Sequence, residues 1–235
     1  MDYKKFLLFG DSITEFAFDP EHFTIGAALA NAYTRKLDIV QRGYAGYNSR
    51  WAIPILEKII ENSGKDIVIG TIFFGSNDSV QKGPQRVSLP EFVDNIRKMI
   101  KMMKQANIKP IVVGPGLIDR NVWDVLKTQD IEKGWIRSNQ LFEEYVNVLI
   151  DLTKDENVPF VNLRQSFLET SETKNEKWQK YLIDGLHFSG DGYRIFFRKL
   201  MKIIDLYYPE YSPDNMKTSL PNWRDIEADG SNISL

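Results

Sequence analysis

The chain has 235 residues, 43% hydrophobic and 26% charged, with a formal net charge of −2, no cysteine and two histidines. That length suits one α/β domain with an ample core, and the near-neutral charge leaves no footprint for nucleic acid or an anionic membrane surface. Disulfides, a cysteine nucleophile and thiolate metal sites are excluded, and no run approaches the roughly 20 apolar residues of a membrane span.

Lys4-Lys5 is followed by only four apolar residues before Gly10. No secretory leader is read there, and the expected location is intracellular, in the cytoplasm. Phe6 to Phe9 is a short apolar run stopped by glycine, which reads as a buried strand. It ends in Gly10-Asp11-Ser12-Ile13-Thr14. Ser12 therefore sits beyond a strand's carboxyl end, where open α/β sheets bind ligands. Taken alone, Asp11-Ser12 serves equally well as a turn or a helix cap.

A loop from Glu15 to Thr24 follows, and then a helix over Ile25 to Leu37, with Ile25, Leu29, Tyr33 and Leu37 in helical register and Thr24 as its cap. Ile39-Val40 is a second strand. Arg42 to Asn48 is a glycine-bearing loop, and Ser49 to Ile60 a helix that tolerates Pro54 near its start, with Ile55, Ile59 and Ile60 toward the sheet. Asp66 to Phe74 is apolar on nearly every residue, as a central parallel strand buried on both faces must be. It ends in Gly75-Ser76-Asn77-Asp78.

Ser88 and Glu91 have the spacing of a capping box, opening a helix through Phe92, Ile96, Met99 and Met103. Lys109 to Val113 is a fourth strand, broken by Gly114-Pro115-Gly116. Leu117 to Gly134 reads as a long irregular segment containing Trp123, of the kind that is often functional. A helix over Trp135 to Asp155, a strand over Val158 to Asn162, short helical turns from Leu163 to Leu182, a loop from Ile183 to Ser189 and a helix over Asp191 to Tyr208 complete the alternation. Pro209 to Leu235 reads as a surface tail anchored by Trp223. Five strand–helix alternations call for a parallel sheet covered on both faces: a three-layer α/β/α sandwich, flavodoxin-like, of five strands in order 2-1-3-4-5. Residues 1–235 then form a single domain with 209–235 as its tail. In that order the switch point lies between strands one and three, the strands that end at Ser12 and Asn77.

Asp184-Gly185-Leu186-His187 falls between the fifth strand and the last helix. In a nonhelical loop this Asp-x-x-His spacing lets the carboxylate reach Nδ1, leaving Nε2 for a serine, which is a weak nucleophile without a base. The same pair could ligate a metal or be a satisfied loop histidine. Gly46 has an N–H uncovered by any Cβ, and Asn77 a side-chain NH2. With the Ser12 N–H they offer three donors to an oxyanion, though a turn glycine and a turn asparagine need no such role. His22 has no acid at a local spacing that would orient it as a base. Asp11 lacks the second acid a phosphatase would need, and Asp78 reads as a loop or capping residue. Phe16, Phe18, Phe23, Tyr44, Tyr47, Trp123 and Phe188 crowd the expected pocket rim, mostly as packing. The four reactive stretches follow strands one, two, three and five of one sheet and open on one edge.

In these four blocks the chain resembles the SGNH (GDSL-type) hydrolases. Gly10 to Thr14 is similar to the family's first block, Arg42-Gly43-Tyr44-Ala45-Gly46 to the second, Gly75 to Asp78 to the third and Asp184 to His187 to the last. Gln41 stands where the family usually has asparagine, a departure that bears on how the second loop is pinned. The resemblance implies a triad of Ser12, His187 and Asp184, an oxyanion hole of Ser12, Gly46 and Asn77, no metal and no cofactor. The run Asp184 to Tyr193 and the tail around Trp223-Arg224-Asp225 look most like the fungal isoamyl acetate-hydrolysing esterases. That likeness implies a small-molecule ester substrate with a short acyl chain and a homodimer. A lysophospholipase or a carbohydrate acetylesterase on the same fold is the nearest alternative, and a catalytically silent scaffold the farthest.

Overall fold

A computed structural model describes residues 3–233. The strands are β1 (Lys4–Gly10), β2 (Leu37–Gly43), β3 (Ile67–Phe73), β4 (Lys109–Gly114) and β5 (Phe160–Asn162). They form one parallel sheet in the order β2-β1-β3-β4-β5, the order expected. The helices of eight or more residues are α2 (Ile25–Ala32), α3 (Ser49–Ser63), α4 (Leu89–Gln105), α7 (Asn139–Asp155), α8 (Leu163–Lys174) and α9 (Gly190–Tyr207); α1 (Ser12–Glu15), α5 (Arg120–Leu126) and α6 (Thr128–Glu132) are shorter.

Alternation along β1 sends its side chains to two cores. Phe6 and Leu8 meet α2, α8 and α9 through Leu29, Phe167, Phe196 and Leu200. Leu7 and Phe9 meet α3, α4 and α7 through Leu56, Ile96, Met99 and Leu149. Burial on both faces is why β1 and β3 carry near-continuous apolar runs, and it holds the strand ends rigidly enough to aim the loops that follow.

Local expectations differ from the structure in instructive places. The Ile25 to Leu37 periodicity breaks early: α2 ends at Ala32, Arg35 takes a left-handed φ of 61°, and Leu37 opens β2 instead. Both Leu29 and Leu37 are buried in the same core, so one apolar face spans two elements and mimics a longer helix. Ser88 and Thr24 stand at the N-cap positions of α4 and α2, yet neither side chain makes a capping bond. Glu91 instead pairs with Arg50 of α3, Nη2 to Oε2 at 2.7 Å, a charge-assisted bond that outcompetes the backbone N–H. In α3 the buried positions are Ser49, Ala52 and Leu56, while Ile55, Ile59 and Ile60 pack only partly against the core.

The segment read as irregular holds α5 and α6, and the segment read as short helical turns holds the 12-residue α8. The seventh helix starts four residues later than read, at Asn139, where the Ser138 hydroxyl accepts from the Leu141 N–H. Trp223 is 71% exposed and anchors nothing. The tail is held by Arg35, which donates to the Ser219, Leu220 and Pro221 carbonyls, by Lys36 on the Pro213 carbonyl, and by the Tyr33 hydroxyl on the Tyr211 carbonyl at 2.8 Å. The tail's last two residues, 234 and 235, lie outside the described residues.

Candidate active site

Strand β1 delivers Ser12 into the first turn of α1. Asp11 caps that turn, its Oδ1 accepting from the Ile13 N–H at 3.0 Å. A Cβ on Gly10 would sit 2.2 Å from Thr14 Oγ1 and 2.7 Å from the Phe73 carbonyl, so only glycine lets strand and turn meet so closely. From α9, the Tyr193 hydroxyl donates to the Ile13 carbonyl at 2.6 Å and fixes the turn from the other side.

The last loop brings its two residues to Ser12. His187 Nε2 lies 2.8 Å from Ser12 Oγ, and His187 Nδ1 lies 2.6 Å from Asp184 Oδ2. Asp184 Oδ1 accepts from the backbone N–H groups of Leu186 and His187 at 3.0 and 2.8 Å. Burial acts to raise the Asp184 pKa, but the hydrogen bond and charge of His187 and these two N–H groups together hold it down at about 2. The imidazole is walled by Phe16 and Trp123, ring centroids 5.1 and 5.8 Å away.

The second and third loops carry the other two residues, Gly46 and Asn77. Gly46 takes φ +78°, and its peptide carbonyl accepts from Gln85 Nε2 at 2.8 Å. Asn77 lies outside the left-handed region; its Nδ2 donates to the Tyr47 carbonyl at 2.8 Å, leaving a second N–H. Asp78 ties the two loops together, accepting from the Ser49 N–H at 2.8 Å and the Gly75 N–H at 3.1 Å. Gln41 binds the carbonyls of Thr14 and Glu15, and Glu15 in turn accepts from the Ala45 N–H at 2.6 Å. The loop is pinned from both ends with glutamine in place of asparagine.

A model of the GDSL-like lipase/acylhydrolase family matches residues 8–195, a span that contains all four blocks. The chain belongs to this family. It is 50% identical over 240 residues to the isoamyl acetate-hydrolyzing esterase of Saccharomyces cerevisiae, covering 99% of both proteins. It is 32% identical to a human homologue of that esterase, covering 99% of this chain and 92% of the human one. Among solved structures, a lipase/acylhydrolase from Enterococcus faecalis superposes with a TM-score of 0.65 at 20% identity, over 92% of this chain and 98% of that one. An acetylxylan esterase from Geobacillus stearothermophilus gives 0.63 at 20% identity over 86% and 94%. These two share the fold. The expected enzyme class, a carboxylic ester hydrolase of GDSL type, follows from the family and the curated relatives.

Of the remaining candidates, His22 is half-buried against Tyr193, ring centroids 6.0 Å apart, and has no part in the Ser12 cluster. Phe188 is core, Phe23 packs on Phe197, and Tyr44 packs on Phe9. Phe16, beside His187, and Tyr47, against Tyr44 and Trp51, stay more than one-third exposed. Sequence reading passed over Arg137 and Gln85. The sequence puts Arg137 in the first turn of the helix read over Trp135 to Asp155, and nothing in Trp135-Ile136-Arg137 signals that the arginine is buried. The better cue was Ser138, whose capping role shortens that helix and leaves Arg137 outside it.

Proposed function

We propose that the protein hydrolyses short-chain carboxylic esters, acetate esters such as isoamyl acetate foremost, through an acyl-enzyme on Ser12. The unbroken line from Asp184 through His187 to Ser12, with links of 2.6 and 2.8 Å, carries this reading. His187 Nε2 takes the Ser12 proton as Oγ attacks the ester carbonyl, while Asp184 holds Nδ1–H and steadies the imidazolium. The N–H groups of Ser12 and Gly46 and the free Asn77 N–H receive the oxyanion. The imidazolium then protonates the departing alcohol, and the same nitrogen activates the water that frees the acid. No step requires a metal or an organic cofactor.

The residues at the mouth support an apolar alcohol over a sugar. Phe16 packs against His187 and Val122 lies beside Gly185 of the last loop, 38 and 40% exposed, and these two side chains offer no hydrogen-bonding group to a carbohydrate. We extend the proposal to a cytoplasmic homodimer that takes a small-molecule ester and no nucleic acid. The net charge of −2 supports the last point, and the mass in solution tests the dimer.

The deciding assay is hydrolysis of p-nitrophenyl esters, acetate through decanoate, by the wild-type protein and Ser12→Ala in the presence of a chelator. Turnover should peak at short chains, resist the chelator and fall by at least about 10³-fold in Ser12→Ala. Activity that survives in Ser12→Ala, or that dies with chelator, would refute the mechanism and recast Asp184 and His187 as metal ligands.

A further inference from the structure

Arg137 is only 3% exposed, in the segment that joins α6 to α7. Among the described residues, no carboxylate oxygen lies within 4.0 Å of its guanidinium. Its partners are neutral and lie on the β3 side of the candidate site. Nε donates to the Ser76 carbonyl at 3.1 Å, and Nη2 donates to Asn77 Oδ1 at 3.0 Å and to Gln85 Oε1 at 2.7 Å. The guanidinium carbon lies over the Trp123 ring, 5.6 Å from its centroid. Withdrawing a cation from water without an ion-pair partner is costly, and packing alone would be served better by an apolar side chain.

The hydrogen bonds branch from this cation toward two of the three donors. On one branch Arg137 grips Asn77 Oδ1, which also receives Gln85 Nε2 at 3.3 Å. An amide rotated by half a turn would set its NH2 against the guanidinium, so Arg137 dictates which end of Asn77 faces the Ser12 side. A charge-assisted bond to the amide oxygen also draws electron density from the nitrogen, making its N–H a stronger donor. On the other branch Gln85, gripped through Oε1, uses its Nε2 to hold the Gly46 carbonyl at 2.8 Å.

We propose that Arg137 is a positioning residue for the oxyanion donors, orienting and polarising the Asn77 amide and, through Gln85, holding the Gly46 peptide. The inference rests on Gly46 and Asn77 being the donors, and the test separates the two ideas. Arg137→Met and Arg137→Lys are each combined with Asn77→Ala, and kcat and KM are measured on p-nitrophenyl acetate. Asn77→Ala alone should lower kcat by roughly 10²–10³-fold, as loss of an oxyanion donor does. Arg137→Met should lower kcat by about 10–100-fold while KM moves less than about threefold, and in the Asn77→Ala background its cost should shrink by at least about threefold, what is left being the share carried through Gln85 to Gly46. Arg137→Lys keeps the charge but loses the fork, and should fall between wild type and Arg137→Met.

Equal fold-losses in both backgrounds would overturn the proposal and make Arg137 a general structural residue. So would a folded Arg137→Met with wild-type kcat. An Asn77→Ala protein with wild-type kcat would overturn the donor assignment itself, and this inference with it. Should thermal melting show Arg137→Met to be unfolded, Arg137→Lys decides by the same cycle, with additive losses again refuting the proposal.

Discussion

Two aspartates flank the paired Ser12 and His187, and their surroundings drive them in opposite directions. Asp184, in the loop before α9, gives one oxygen to two backbone N–H groups and the other to His187; its pKa is held at about 2. Asp11, at the end of β1, is buried with one oxygen on the Ile13 N–H and the other without a partner among the described residues. Burial pushes its pKa up to about 7, Asp78 adds to the rise, and the Ile13 N–H, His187 and Arg137 oppose it. Burial penalises Asp11 fully and Asp184 only in part, and the number of donors each oxygen meets widens the gap. A carboxylate next to a reactive serine is thus not the catalytic acid by proximity. The one with filled oxygens stays ionised and can stabilise an imidazolium.

The largest effect that could break this contrast is on turnover. Asp184→Asn should lower kcat by about 10²–10⁴-fold, because the amide no longer enforces the tautomer that leaves Nε2 free to accept. Asp11→Asn keeps the cap acceptor and should leave kcat within about tenfold, a far smaller loss. Equal losses in the two variants would erase the distinction.

A medium effect lies in stability. Between pH ~4 and ~7 the folded protein retains a proton on Asp11 that the unfolded chain has released, so unfolding free energy should fall as pH rises through that window. Asp78, raised to about 6 mainly by burial, contributes the same sign. In urea melts from pH 5 to pH 8, the wild-type protein should lose about 1–4 kcal/mol, and Asp11→Asn should lose clearly less. Parallel slopes would show that Asp11 is ionised throughout.

The smallest effect is on the acid side and has the reverse sign. The stability that Asp184 draws from its donors is complete above pH ~4 and is lost as pH falls toward about 2. Because that carboxyl is partly wet, the contribution should be no more than about 1–2 kcal/mol. The gap between wild type and Asp184→Asn should therefore narrow as melts are taken from pH 5 to pH 2.5. A gap that stays constant would mean the donors do not favour the charged form.

The sheet and the turns that follow its strands were legible because their causes are local. Ile67 to Phe73 is apolar at nearly every position since both faces are covered, and Gly46 marks a backbone that needs a positive φ. Ser12 and His187 are 175 residues apart, yet their contact could be anticipated because each lies in a block that follows a strand of one sheet. Features decided by long-range competition were hidden. Glu91 matches a capping box by spacing but serves Arg50, and Leu37 continues a helical period but lies in a strand. Arg137 was hidden for the same reason: its burial follows from how the α6–α7 connection folds over the turn after β3, and its partners Asn77 and Gln85 lie more than 50 residues away in sequence.

The clasp on the tail stores its information on one side only. Arg35, Lys36 and Tyr33 take hold of main-chain carbonyls at Tyr211, Pro213 and 219–221, and none of these bonds involves a side chain of the strap. The corner between α2 and β2 thus reads the path of the strap and is blind to its spelling. Substitutions at strap positions other than Tyr211, Ser212 and Met216, which are packed against the core or buried, leave the clasp untouched as long as the carbonyls keep their course, whereas one change at Arg35 removes its side-chain bonds to three carbonyls together.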